Sequence, residues 1–255
     1  MENTFDWQTE WAAIWRPTTK HLRAVQRLDS IQLSDLLGID LQKRALIKNT
    51  ERFLKGEPAQ HALLWGSRGT GKSSLIKALL NQYASEGLRV IEIDKDHLQD
   101  LLDIVDELSF LPQHFIVFCD DLSFEDGETT YKQLKSVLEG SIELPPENIL
   151  IYATSNRRHL ISEYASDNKD TRIINGALHH ADIVEEKLSL SDRFGLWLSF
   201  YPNSQLEYLE IVDHLFANYS GDREELHLKA KQFAMMRASR SGRTARQFYR
   251  DFSAE

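Results

Sequence analysis

Ala62-Leu63-Leu64-Trp65-Gly66-Ser67-Arg68-Gly69-Thr70-Gly71-Lys72-Ser73-Ser74 decides the fold. Its middle matches the pattern G-x-x-x-x-G-K-S, and it has the context that pattern needs. A short apolar run, Ala62 to Trp65, reads as a strand entering the loop. Leu75, Ile76, Leu79, Leu80 and Tyr83 then mark one face of a helix leaving it. Glycines at 66, 69 and 71 let backbone amides turn inward, and the following helix N-terminus favours an anion. Lys72 adds a positive charge for β- and γ-phosphates, and Ser73 offers a hydroxyl to Mg²⁺. Gly66, Ser67, Arg68, Gly69, Thr70, Gly71, Lys72, Ser73 and Ser74 are therefore the expected phosphate-binding set.

Outward from this stretch, apolar runs alternate with helical periodicity. Arg89-Val90-Ile91-Glu92-Ile93, Phe115-Ile116-Val117-Phe118-Cys119, Ile149-Leu150-Ile151-Tyr152-Ala153 and Trp197-Leu198-Ser199-Phe200-Tyr201 read as four more strands. Near-continuous apolar runs separated by helices predict an α/β fold. The expectation is a P-loop NTPase with a five-stranded parallel sheet flanked by helices. Ligands in such sheets sit beyond the carboxyl ends of the strands, so the loops after several strands should converge. After Pro202 the pattern is helical only, and residues 203–255 are expected to form a small helical lid on a nucleotide-binding domain at 36–202. Trp7, Trp11, Ile14 and Trp15 fit one helical stripe closed by Pro17, so residues 1–35 are expected to be a helical extension, its stripe packed in the core or against a partner.

Composition narrows the class. With 42% hydrophobic and 27% charged residues among 255, the chain reads as an ordinary globular protein. Its single cysteine, Cys119, allows no internal disulfide. No apolar stretch has membrane-spanning length and no leader pattern opens the chain, so a reducing cytoplasm is the expected setting. A net charge of −9 argues against a surface that clings to nucleic acid throughout. From Leu226 to Arg250, however, there are seven Lys/Arg and no Asp or Glu. That basic segment reads as a solvated helix face plus one phosphate-sensing arginine, with nucleic-acid contact as the less favoured alternative.

Four further loops carry candidates. Asp120-Asp121 ends the buried run Phe115–Cys119, where a P-loop site places its second half. Asp120 would hold Mg²⁺, and Asp121 would act on the attacking water as general base, with Glu125 in reserve. Asn156, after the fourth strand, would position that water or touch the γ-phosphate. Arg193, just before the fifth strand, would reach the phosphate of a neighbouring subunit, and Arg243 or Arg246 would reach back from the lid. The stretch Asn168-Lys169-Asp170-Thr171 lacks the final aspartate of a guanine-reading motif, and His179-His180 reads as a polar loop pair.

With these parts in order, the chain resembles an AAA+ ATPase, and within that class it is similar to the bacterial ATP-binding family known as DUF815. The likeness runs from about Leu36 to the C-terminus. It rests on Leu36-Leu37-Gly38-Ile39 with Gln42, on the phosphate loop, on Cys119-Asp120-Asp121-Leu122-Ser123-Phe124-Glu125, on Ala153-Thr154-Ser155-Asn156-Arg157-Arg158, on Asp192-Arg193-Phe194-Gly195 and on Gly242-Arg243-Thr244-Ala245-Arg246-Gln247-Phe248. The resemblance implies that Leu37 and Ile39 line the adenine pocket, that Asn156 is sensor 1, Arg193 the arginine finger and Arg243 sensor 2. It also implies ATP and Mg²⁺ as cofactors and an ATP-dependent homo-oligomer that hydrolyses ATP and remodels or loads an unidentified protein partner. The alternative is a nucleotide-gated adaptor or loader with little turnover that contacts nucleic acid or a partner protein through its basic C-terminal lid, since the Asp-Asp pair departs from the commoner Asp-Glu.

Overall fold

The structure is a computed structural model that describes residues 5–124, 131–139, 144–157 and 190–253. Glu125, Asn168-Lys169-Asp170-Thr171 and His179-His180 lie outside the described residues. The apolar runs form strands β1 (Ala12–Arg16), β2 (His21–Ala24), β3 (Ala62–Gly66), β4 (Leu88–Ile93), β5 (His114–Cys119), β6 (Ile149–Ser155) and β7 (Leu196–Phe200). They join in one seven-stranded sheet of order β2-β1-β4-β5-β6-β3-β7. Among the described residues only the β1–β2 pair is antiparallel.

Helices cover both faces, as buried parallel strands require. On one face α1 (Asp40–Leu54) and α2 (Lys72–Tyr83) pack Leu46, Phe53, Leu75 and Leu79 onto Leu64, Ile116, Tyr152 and Phe200. On the other, α3 (Leu101–Leu108) and α4 (Tyr131–Glu139) pack Ile104, Leu108 and Leu134 onto Ile91, Val117 and Ile151. Alternate residues of each strand thus enter different layers, the period-two rule of a strand.

The expected five strands are all present, but the sheet has seven, and the N-terminal segment is not helical. β1 pairs in parallel with β4 (Ala13 opposite Ile91), and a turn at Pro17–Lys20 folds β2 back onto it. A spacing of four separates Trp11 from Trp15, and four is an even number, so it fits one face of a strand as well as one face of a helix. The unpaired edge of β4 supplies the backbone partners that decide for the strand. Trp7 and Trp15 are core residues. The Trp7 ring meets Phe115 edge-on at 4.9 Å, and Trp15 Nε1 donates to buried Asp100 Oδ2 at 2.8 Å.

Beyond β7 come α5 (Gln205–Leu215), α6 (Arg223–Met236) and α7 (Gly242–Phe252). Each starts on a side-chain cap: Ser204 accepts from Glu207 N, Asp222 from Glu224 N and Ser241 from Thr244 N. They bury Tyr208, Val212, Leu226, Ala230, Ala245 and Phe248 in a cluster of their own, against which Leu37, ahead of α1, also packs. No helix among the described residues is long and apolar enough to cross a membrane.

Candidate nucleotide site

Register sets the site. Trp65 lies opposite Ser155 and Cys119 opposite Ala153, so β3, β5 and β6 release Gly66, Asp120 and Asn156 at the same edge of the sheet. The loop from Gly66 to Gly71 wraps that edge. At Gly66 (φ 130°) a Cβ would lie 2.0 Å from Phe200 O, and Ser67 N donates to the same oxygen at 2.9 Å. At Gly69 (φ 78°) a Cβ would come within 2.8 Å of Ser241 Oγ on the lid. Only glycine allows the strand end and the lid to approach the loop this closely.

Lys72 opens α2 and is buried. Its Nζ donates to Gly66 O (2.8 Å), Ser67 O (2.7 Å) and Asn156 Oδ1 (3.1 Å). Burial pushes its pKa down to about 8. Asp120 and Asp121 act against that fall, while Arg243 and Arg68 add to it. The amides of Lys72, Ser73 and Ser74 form the first turn of α2, where no carbonyl of the helix can satisfy them.

The carboxylate pair is held by the neighbouring strand. Ser73 Oγ donates to Asp120 Oδ1 at 2.7 Å, and Thr154 Oγ1 donates to the same oxygen. Thr154 Oγ1 also accepts from Asp121 N at 2.9 Å, and Thr154 O accepts from Leu122 N at 2.7 Å. Asp121 sits at φ 53°, a left-handed conformation that aspartate tolerates better than most side chains. Its carboxylate accepts from Asn156 Nδ2 and faces Arg68 at 4.0 Å. Lys72, Asn156, Asp121 and Arg68 therefore form one connected chain of charge and hydrogen bonds.

These groups line a cleft of about 710 Å³ between core and lid. One end is polar, with the loop, Asp120, Asp121, Thr154 and Asn156. The apolar wall is Leu36, Leu37 and Ile39, with Leu36 and Ile39 against Gly71 of the loop, and Ile211 and Leu215 from α5. His214 Nε2 and Asp35 Oδ1, 3.5 Å apart, bridge lid and core there. The volume, the apolar wall and the polar end suit a nucleotide. Adjacent Ser73 and Asp120 oxygens, with no cationic side chain between them, are suitable donors for a hard divalent cation.

Most of the expected site residues meet here: Leu37, Ile39, Arg68 to Ser74, Asp120, Asp121, Asn156 and Arg243 all line the cleft, and Gly66 and Ser67 hold Lys72 at its floor. Arg193 does not line it. It lies on the turn before β7, where its N–H donates to Leu190 O. Two features were missed by sequence reasoning. Thr154 is central to the geometry, yet within the β6 stretch it reads in sequence only as a strand former. Arg250 joins Arg243 and its alternative Arg246 in the cleft wall, although Arg243 and Arg250 also remain exposed to solvent.

A family model described as "Protein of unknown function (DUF815)" matches residues 8–255. Part of the chain is similar to the large subunit of replication factor C. In Staphylothermus marinus the identity is 29% over 112 residues, 42% of this chain and 26% of the relative. In Sulfolobus acidocaldarius it is 33% over 101 residues, 39% of this chain and 20% of the relative. The chain thus spans only about a quarter of those relatives' length. Among solved structures, a variant of Thermotoga maritima RuvB matches with TM-score 0.51 and 15% identity, covering 86% of this chain and 70% of that one. A FIGL-1 AAA domain in complex with ADP matches with TM-score 0.50 and 18% identity, covering 78% and 66%. Both likenesses are of fold: this is an AAA+ P-loop architecture.

Proposed function

The chain belongs to the DUF815 family, and we propose that it binds Mg-ATP in the core–lid cleft and hydrolyses it to ADP and phosphate within an oligomer. One observation carries this reading: Lys72, Asn156 and Asp121 form one hydrogen-bonded chain and Ser73 bonds Asp120 beside it, where the ends of β3, β5 and β6 meet. The ADP held by a similarly folded AAA domain supports the same ligand class.

In this account the first-turn amides of α2 and Lys72 bind the β- and γ-phosphates. Ser73 and Asp120 hold the magnesium ion, which supplies positive charge to the phosphoryl oxygens. Asn156 orients the attacking water, and Asp121 takes its proton. Leu37 and Ile39 take the adenine, and Arg243 carries the lid toward the phosphates. Arg193 acts on the site of a neighbouring subunit, consistent with its position outside its own cleft. The work coupled to turnover is the remodelling or loading of a protein partner.

A nucleotide-gated adaptor with little turnover remains as a second reading, because Asp121 is one methylene shorter than glutamate and its carboxylate is already engaged by Asn156 and Arg68. Equilibrium binding of ATP with and without Mg²⁺ tests the site itself. Lys72→Ala should lose nearly all affinity, and Asp120→Asn should lose the Mg²⁺-dependent part. Unchanged affinity in Lys72→Ala would sink the assignment.

A further inference from the structure

We propose that Arg246 and Arg250 form a second anion subsite at the nucleoside end of the cleft, one that takes a phosphate carried on the ribose of the bound nucleotide. This inference rests on the nucleotide reading of the cleft.

The placement follows from α7. Its N-cap, Ser241, abuts Gly69 of the phosphate loop, and Gly242 lies 3.7 Å from Gly69 O by the position of an added Cβ. The helix therefore starts at the phosphate end and runs away from it. Arg243, in its first turn, is close enough for its charge to depress Lys72. Arg246 and Arg250 follow at three- and four-residue steps, which keep one helix face. At 1.5 Å per residue, Arg250 sits about 10 Å further along the axis than Arg243. That exceeds the separation between the first and last phosphorus of a triphosphate held by the loop. All three line the cleft.

Charge balance sets these arginines apart. Other cations of the cleft have partners: Lys77 faces Asp29 at 3.5 Å, Arg68 faces Asp121 at 4.0 Å and Lys72 is bound by three oxygens. Among the described residues, Arg243, Arg246 and Arg250 have no carboxylate within ion-pair distance, in a chain whose net charge is −9. Lys72, Arg68 and Arg243 suffice for the triphosphate. The remaining two guanidiniums, Arg246 half-buried and Arg250 exposed, line the same cleft further along α7, and on the nucleotide reading the ribose would lie beside them. Planar forks there match a phosphate monoester on the 2′ or 3′ oxygen.

Calorimetric titration of the full chain with ATP, ATP bearing a 3′-phosphate and ATP bearing a 2′-phosphate tests this. One ribose-phosphorylated nucleotide should bind about tenfold or more tightly than ATP at low salt, equivalent to about 1.4 kcal/mol. The ratio should fall toward one in Arg246→Gln/Arg250→Gln and shrink as salt screens the pair. Equal affinities in the wild type, or an advantage that survives in the double variant, would overturn the subsite while leaving the ATP site standing. Failure of all three nucleotides to bind would instead remove the nucleotide reading, and the subsite with it.

Discussion

Thr154 Oγ1 accepts the backbone N–H of Asp121 at 2.9 Å, across the β5–β6 boundary. The same hydroxyl donates to Asp120 Oδ1, so one buried threonine holds the Asp120 carboxylate and the backbone that carries Asp121. Thr154→Val keeps the shape and removes both bonds. Leaving these groups unpaired should cost about 1–3 kcal/mol of stability in denaturant unfolding. ATP hydrolysis should fall by about tenfold or more, since the base loses its orientation, while nucleotide affinity changes by less than about threefold. Wild-type turnover in this variant would show that Thr154 does not position the pair.

Lys72 should make nucleotide binding sensitive to alkaline pH. Its pKa stands at about 8, chiefly through burial, and only the protonated amine attracts phosphate. Affinity for Mg-ATP should accordingly be high at pH 7 and decline as pH rises through about 8. Bound phosphate favours the charged form, so the midpoint seen under saturating nucleotide should move upward. Isothermal titration from pH 6.5 to 9.5 checks both points. A flat profile across that window would contradict the buried-lysine geometry.

His61 should make the fold sensitive to acid. Burial lowers its pKa from 6.5 to about 4, and its Nδ1 accepts from Ile151 N at 2.9 Å, a bond only the unprotonated nitrogen makes. Between those two pH values the unfolded chain binds a proton that the folded chain refuses. The unfolded state therefore holds more protons, so stability rises with pH through the window and is lost as pH falls. His61→Asn retains an acceptor without the titration. Its loss of stability from pH 6.5 to 4.5 should be shallower than that of the wild type by urea unfolding. Parallel curves would assign the acid sensitivity to other groups.

Much of this was legible in the sequence because two signals agree at the loop. The glycine spacing demands a strand before and a helix after, and Ala62–Trp65 and Leu75–Tyr83 supply them. Asp120-Asp121 was legible for a similar reason, since an apolar run as continuous as Phe115–Cys119 has to end at a sheet edge. The N-terminal tryptophans were not, because their spacing satisfies two periodicities and only the free edge of β4 selects one. Thr154 was hidden by its chemistry: a threonine in a strand reads as a β-former, and its hydroxyl matters only through a neighbour 34 residues away in sequence. Arg250 was read as part of a solvated face, and Arg243 and Arg246 were left as alternatives, because periodicity reports which residues share a face, not what that face meets.

The central claim is a site whose turnover is completed by a second copy through Arg193. It is tested by the specific rate of Mg-ATP hydrolysis across a protein-concentration series, with mass measured at each point, for the wild type and Arg193→Ala. The account predicts a wild-type rate that climbs with assembly and exceeds that of an equally assembled Arg193→Ala protein by about 10³-fold or more, with ATP affinity retained. Equal rates per site in the two proteins, or a wild-type rate independent of assembly, would contradict it.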